Sequence, residues 1–221
     1  MTKYKINILF IFLITILTIN IIKAEEKDKI LKDKIIYIDP GHGGLDPGAT
    51  YKDVKEANIN LELSTLVKQE LEQYGATVLM TRDNNYDLSE KNAKNKKRSD
   101  LQKRANLINN SNCDLFLSIH LNSDKSPTWY GAQVFYTKQH IDNQKIANII
   151  QEKMKKEINT KRKEKQIKNT YLYEKINRPG VLIEAGFISN PTERNKLKDS
   201  SYQQLMSKII VEGTIEYLIN K

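Results

Sequence analysis

Short apolar runs of strand length alternate with amphipathic stretches of helical length from Lys34 to the C-terminus, and this alternation restricts the fold more than any other feature. Ile35-Ile36-Tyr37-Ile38 forms a buried strand within Lys34 to Asp39. From Val54 to Tyr74, Ile59, Leu61, Leu63, Leu66, Val67 and Leu71 repeat approximately every three to four positions, as a helix packed on a sheet requires, and Gly75 stops it. Ala76 to Met80 is a second strand, Asp83 to Lys97 a polar surface loop, Asp100 to Asn110 a helix, and Asp114 to His120 a strand ending on a histidine. A fourth strand from Gly131 to Tyr136 and a helix from Ile141 to Ile158 follow. Thr170 to Tyr173 reads as a short strand, Gly180 to Glu184 as a strand ending on a glutamate, and Tyr202 to Leu218 as a closing helix. Strands separated by helices predict an α/β class fold, a single domain over residues 34–221 with a mostly parallel central sheet flanked by helices. In such sheets ligands bind beyond the carboxyl ends of the strands.

The N-terminus predicts where that domain works. Residues 1–5 are basic, and Ile6 to Ile22 are apolar except for Asn7, Thr15, Thr18 and Asn20. Charge returns from Lys23 to Asp28. Residues 1–24 therefore read as a signal peptide or an uncleaved membrane anchor, with membrane association through residues 6–22, and residues 25–33 as a linker. A net charge of +9 suits a polyanionic partner. Export excludes nucleic acid and favours anionic cell-wall polymers. Cys113, the only cysteine, rules out an intramolecular disulfide and reads as a small buried residue. The basic stretches Lys91 to Arg104 and Lys153 to Lys168 are interspersed with acids and read as solvated faces.

Three histidines are available for chemistry. His42 follows the first strand within Asp39-Pro40-Gly41-His42-Gly43-Gly44, and His120 ends a strand that emerges at the same sheet edge if the two run parallel. His140 has no such setting and reads as a surface residue. A catalytic zinc site uses three protein ligands and leaves one position for water, and two histidines with one glutamate is an established set. Glu56, after the Gly-rich loop, and Glu184, at a strand end, are the available carboxylates. The loop also invites a reading as a phosphate cradle, but no glycine lies three beyond Gly43 and no Gly-Lys-Ser/Thr follows.

Several blocks together resemble the zinc-dependent N-acetylmuramoyl-L-alanine amidases of the amidase-3 type, over about residues 34–220. They are Ile38-Asp39-Pro40-Gly41-His42-Gly43-Gly44, Lys55-Glu56 before Asn60-Leu61, Leu101-x-x-Arg104-x-x-Leu107-Ile108, Ser118-Ile119-His120-x-Asn122, Gly131-Ala132, and Ile183-Glu184-x-Gly186-Phe187-x-Ser189-Asn190. Asp87-Leu88-Ser89 and the segment from Ser126 to Tyr136, with Trp129, are most similar to the germination-specific amidases of spore formers.

The resemblance implies one Zn2+ held by His42, Glu56 and His120, with Glu184 as catalytic acid/base. It also implies cleavage of the amide between N-acetylmuramic acid and L-alanine in peptidoglycan. The germination-specific subgroup implies spore cortex as substrate, on the route to muramic δ-lactam, in the forespore intermembrane space, and an activating or regulatory protein partner. Asp39 and Asn122, beside ligands, are candidates either to orient an imidazole or substrate or simply to tie the loop. Two other readings of the same residues are a zinc carboxypeptidase and a wall-binding protein without catalysis.

Overall fold

The computed structural model describes residues 29–221, so the apolar stretch at residues 6–22 lies outside the described residues. Eight strands and six helices follow the expected alternation: β1 Ile35–Pro40, β2 Thr50–Tyr51, β3 Val54–Lys55, α1 Glu56–Gln73, β4 Thr77–Met80, α2 Lys96–Asn110, β5 Leu115–Asn122, β6 Gln133–Tyr136, α3 Asn143–Ile158, β7 Lys165–Gln166, α4 Tyr171–Lys175, β8 Gly180–Phe187, α5 Pro191–Lys198 and α6 Ser200–Ile219. The main sheet has the order β4-β1-β5-β8-β6-β7. Its first four strands are parallel, and β6 turns antiparallel against β8 with β7 parallel to it.

Burial on both faces explains why the central strands are apolar runs rather than alternating ones. Ile36, Ile38, Leu115, Leu117, Ile119, Val181 and Ile183 face a large core shared with α1, α3 and α6. Tyr37, Phe116 and Leu182 face a smaller one with Ala105 and Ile108 of α2 and Leu172 and Tyr173 of α4. In α1 the buried Ile59, Leu63, Val67 and Leu71 recur at four-residue spacing. Each full burial of such a side chain is worth about 1.5–3 kcal/mol before conformational entropy is set against it. Cys113 is buried, as its sequence setting predicts.

Several elements differ from expectation. Thr170 to Tyr173 is not a strand: Tyr171 to Lys175 is a helical turn. Adjacent Leu172 and Tyr173 are both buried against α2, which a strand forbids because neighbouring side chains point to opposite faces. The short strand lies instead at Lys165–Gln166 in the Lys-rich stretch, paired with Phe135 and Tyr136. Helix α2 begins at Lys96 rather than Asp100, because the Asn95 side chain accepts the Arg98 N–H and caps it. Helix α5 had no counterpart in the sequence reading, although Asn190 caps it and Pro191 opens it, both recognisable start signals.

Candidate functional site

The parallel strands β1, β5 and β8 bring their carboxyl-end residues together at one edge. His42 lies two residues past β1, and His120 on β5 is in register with Glu184 on β8, one interstrand spacing of roughly 4.8 Å away. Glu56 is the first residue of α1 and is buried. The hairpin of β2 and β3 turns the chain back so that Glu56 enters the space between the two histidines.

Close backbone approach makes this possible. His42 adopts a left-handed conformation (φ 62°), followed by Gly43 at φ 122° and Gly44 at φ 59°. Such a conformation strains a side-chain-bearing residue and persists where the surroundings fix it. A Cβ on Gly41 would lie 2.2 Å from the His120 ring, so only glycine leaves room for that imidazole.

Two buried arginines clamp the loop from below. Arg82 donates to the carbonyls of Pro40, Gly41 and Ala57, at 2.8–3.0 Å. Arg104 donates to the carbonyls of Pro40 and His42, and pairs with Asp39 and Asp100 at 2.8 Å each. Burial alone would raise the Asp39 pKa, but the Arg104 charge and hydrogen bonds from Thr81 and Ser118 hold it below the ordinary value. Asp39 therefore does not orient an imidazole: both its oxygens are committed to Arg104, Thr81 and Ser118. Arg104 is also a correction to the solvated-face reading of Lys91 to Arg104, since its guanidinium is buried. An acid that does meet an imidazole is Asp46, 3.0 Å from Nδ1 of His42.

At the centre, Nε2 of His42 and Nδ1 of His120 lie 3.2 and 3.1 Å from the same oxygen, Oε1 of Glu56. The two rings meet edge to face at 4.9 Å between centroids. Burial acts to raise the Glu56 pKa, but hydrogen bonds and charge from both histidines drive it far below the carboxylate range. Burial disfavours protonated His42, yet Glu56 and Asp46 outweigh it and raise its pKa.

The donor set fits a metal ion. Each residue offers one ligand atom, and all three atoms lie within 4.8 Å of one another. Tetrahedral ligands at zinc distances sit about 3.3 Å apart, close to the two contacts observed. The other Glu56 oxygen is held by the Ala49 N–H, as is common for ligands oriented by their neighbours.

Glu184 differs from these three. Its Oε2 is buried without a hydrogen-bond partner. Burial raises its pKa to about 7, with Glu56 adding to the rise and the two histidines opposing it. An unpartnered carboxyl beside a metal-competent triad is poised to exchange a proton with something that enters the site.

A cleft of about 510 Å³ opens from His42 and His120 and runs past Asp46, Lys96, Lys97, Leu101 and Tyr171. His140, away from this edge, is half-buried, and its Nδ1 accepts the Asp142 N–H at 3.2 Å. The sequence reading places His42, His120 and Glu184 at one edge, takes Glu56 as their companion from the family resemblance, and omits Arg82, Arg104 and Asp46 as supports. Asp46 lies four residues from His42 and could have been suspected; the arginines are joined to the loop only by long-range contacts.

Comparison with known proteins identifies the family. The family model described as N-acetylmuramoyl-L-alanine amidase matches residues 36–216. The germination-specific N-acetylmuramoyl-L-alanine amidase of Bacillus subtilis is 41% identical over 195 residues, covering 86% of this chain and 82% of that protein. The CwlD amidase of Clostridioides difficile, solved in complex with the GerS lipoprotein, superposes with a TM-score of 0.81 at 36% identity over 86% of this chain and 100% of the other. A second N-acetylmuramoyl-L-alanine amidase, from Clostridium difficile 630, gives a TM-score of 0.76 at 29% identity, covering 85% and 98%. With the model matched over nearly the whole described fold, the chain belongs to the N-acetylmuramoyl-L-alanine amidase family of peptidoglycan hydrolases.

Proposed function

We propose that His42, Glu56 and His120 hold one zinc ion, and that Glu184 is the acid/base of an amidase acting on spore cortex. The observation that carries this reading is the convergence of two imidazole nitrogens on one buried carboxylate oxygen, beside a carboxyl that has no partner of its own. When bound, zinc polarises the scissile carbonyl and lowers the pKa of a bound water toward about 7. Glu56 and the two histidines fix the position at which that happens, and Asp46 holds the His42 ring through Nδ1. Glu184 Oε2 accepts the proton lost as the water oxygen attacks the lactyl carbonyl carbon. The same carboxyl then delivers it to the alanine nitrogen as the C–N bond breaks, so that an amine departs rather than its anion. The products are a lactyl carboxylate on the glycan and a stem peptide with a free amino terminus.

The germination-specific relative supports spore cortex as the substrate, and the wall location of that polymer supports action outside the cytoplasm. Among the described residues no helix is long and apolar enough to cross a membrane. Export or anchoring therefore rests on residues 1–24, ahead of a linker at 25–33 and the catalytic domain at 34–221, with the forespore intermembrane space as the compartment. The neighbour solved with a lipoprotein supports a regulatory protein partner for this chain as well.

Replacing Glu184 with Gln tests the assignment. The variant retains stoichiometric zinc and loses about 10²–10⁴-fold in muropeptide cleavage, the range of general acid/base contributions. Wild-type turnover with zinc in place would remove Glu184 from the mechanism.

A further inference from the structure

Resting on the amidase reading, this inference assigns the half of the substrate that reading leaves unplaced. The row of side chains that begins at His120 does not end at Glu184. Gln133 on β6 stands directly opposite Glu184 in the antiparallel pairing, so the two side chains share a face of the sheet. Arg162 donates to the Gln133 side chain at 3.1 Å and to the Tyr130 carbonyl at 2.7 Å. Its guanidinium lies 4.5 Å from the ring centre of Phe187, three residues after Glu184 on β8, and 5.5 Å from that of Trp129. Three successive links, Glu184 to Gln133, Gln133 to Arg162 and Arg162 to Trp129, thus lead from the acid/base to an aromatic ring backed by a fixed cation.

The loop that carries this ring is secured at both ends. The Glu193 carboxylate accepts the N–H groups of Gly131 and of Phe187, and the Asn190 side chain donates to the Pro127 carbonyl. Yet Trp129 and Tyr130 remain 53% and 61% exposed. Two adjacent exposed aromatics on a secured loop present a flat apolar face that a ligand can cover. On the other side of the histidines the lining is mixed, with Asp46, Asp87, Lys96, Lys97 and Asp100 set among apolar side chains such as Leu45 and Leu101. A stem peptide carries both charged and apolar groups and suits that mixed side, whereas a pyranose ring presents a flat C–H face and neutral acetamido and hydroxyl groups.

We propose that the Trp129–Arg162–Phe187 stack is the glycan subsite, where a sugar ring of the chain bearing the scissile bond lies on the indole face. The scissile amide then lies between two unlike surfaces, glycan over Trp129 and peptide toward Lys96 and Lys97.

Trp129 is the only tryptophan in the chain, so its fluorescence reports on this position alone. Titrating the full chain with a peptide-free tetrasaccharide of alternating N-acetylglucosamine and N-acetylmuramic acid gives a saturable change in tryptophan emission. Free stem peptide gives none. In Trp129→Ala the ratio of kcat/KM for a tetrasaccharide-linked peptide to that for a single muramoyl peptide falls about tenfold, the equivalent of one aromatic stacking contact, and Trp129→Phe retains part of it. An emission change with peptide but not with glycan, or an unchanged selectivity ratio, overturns the proposal. Failure to hydrolyse any muropeptide would sink the amidase reading instead, and the emission response to peptide-free glycan would still decide the subsite.

Discussion

Replacing Arg104 with Leu removes the clamp beneath the Pro40-Gly41-His42 loop without touching a proposed ligand. Arg104 is buried, ion-paired with Asp39 and Asp100, and donates to two loop carbonyls. Its loss leaves the Asp39 carboxylate buried with only the Thr81 and Ser118 hydroxyls as donors. Breaking a buried pair from one side costs about 3–5 kcal/mol, a large share of the about 5–15 kcal/mol that holds a domain together. For a domain of this size that corresponds to a fall of roughly 6–20 °C in Tm. Chemical denaturation of the metal-free protein measures it directly. The double variant Asp39→Leu/Arg104→Leu recovers much of the loss, because two apolar side chains replace a broken ion pair. The pH dependence follows the same logic. Because the Asp39 pKa is lower folded than unfolded, its contribution is present above the ordinary carboxylate value of 3.8 and is lost as pH falls through the folded value. Arg104→Leu flattens that acid limb. A single variant within about 1 kcal/mol of wild type, with an unchanged acid limb, would refute the clamp.

Three further predictions concern the site itself. Gly41→Ala drives a methyl group into the His120 ring, so the folded variant loses stoichiometric zinc, measured by elemental analysis; full zinc occupancy would contradict the close-approach argument. Asp46→Asn weakens the hold on the His42 ring and lowers zinc affinity about 10–100-fold in chelator competition, whereas unchanged affinity would show that the contact does not orient the ring. Burial raises the Glu184 pKa from 4.5 to about 7, so the folded metal-free protein binds the extra proton and its stability falls as pH rises through that window. Glu184→Gln abolishes that slope, and a slope retained in the variant would assign it to another group.

Local periodicity made most of the architecture readable, because buried parallel strands and core-facing helices leave their spacing in the chain. Where it failed, at Leu172-Tyr173, two adjacent apolar residues are equally consistent with a strand and with a helical turn until the surface they pack on is known. His42 and His120 could be placed at one edge from their positions after strands, but identifying Glu56 as their companion required the family resemblance. The supports were hidden for a physical reason. Arg104 lies 65 residues from Asp39 and Arg82 lies 41 from Gly41, and nothing local separates a buried arginine from an exposed one, whether on a basic helix (Arg104) or just past a strand (Arg82). Trp129 stood out in the sequence only as part of a family block; its stacking on Arg162 depends on the β6–β8 pairing.

Mass analysis of the products released from a defined muropeptide by the zinc-loaded full chain is the most direct test. The predicted products are an intact stem peptide beginning with free L-alanine and a glycan bearing a free lactyl carboxylate, and both disappear in His42→Ala together with the bound zinc. Cleavage between amino acids of the stem would make the protein a peptidase, and tight zinc-dependent binding of an uncleaved muropeptide would make the site a recognition pocket.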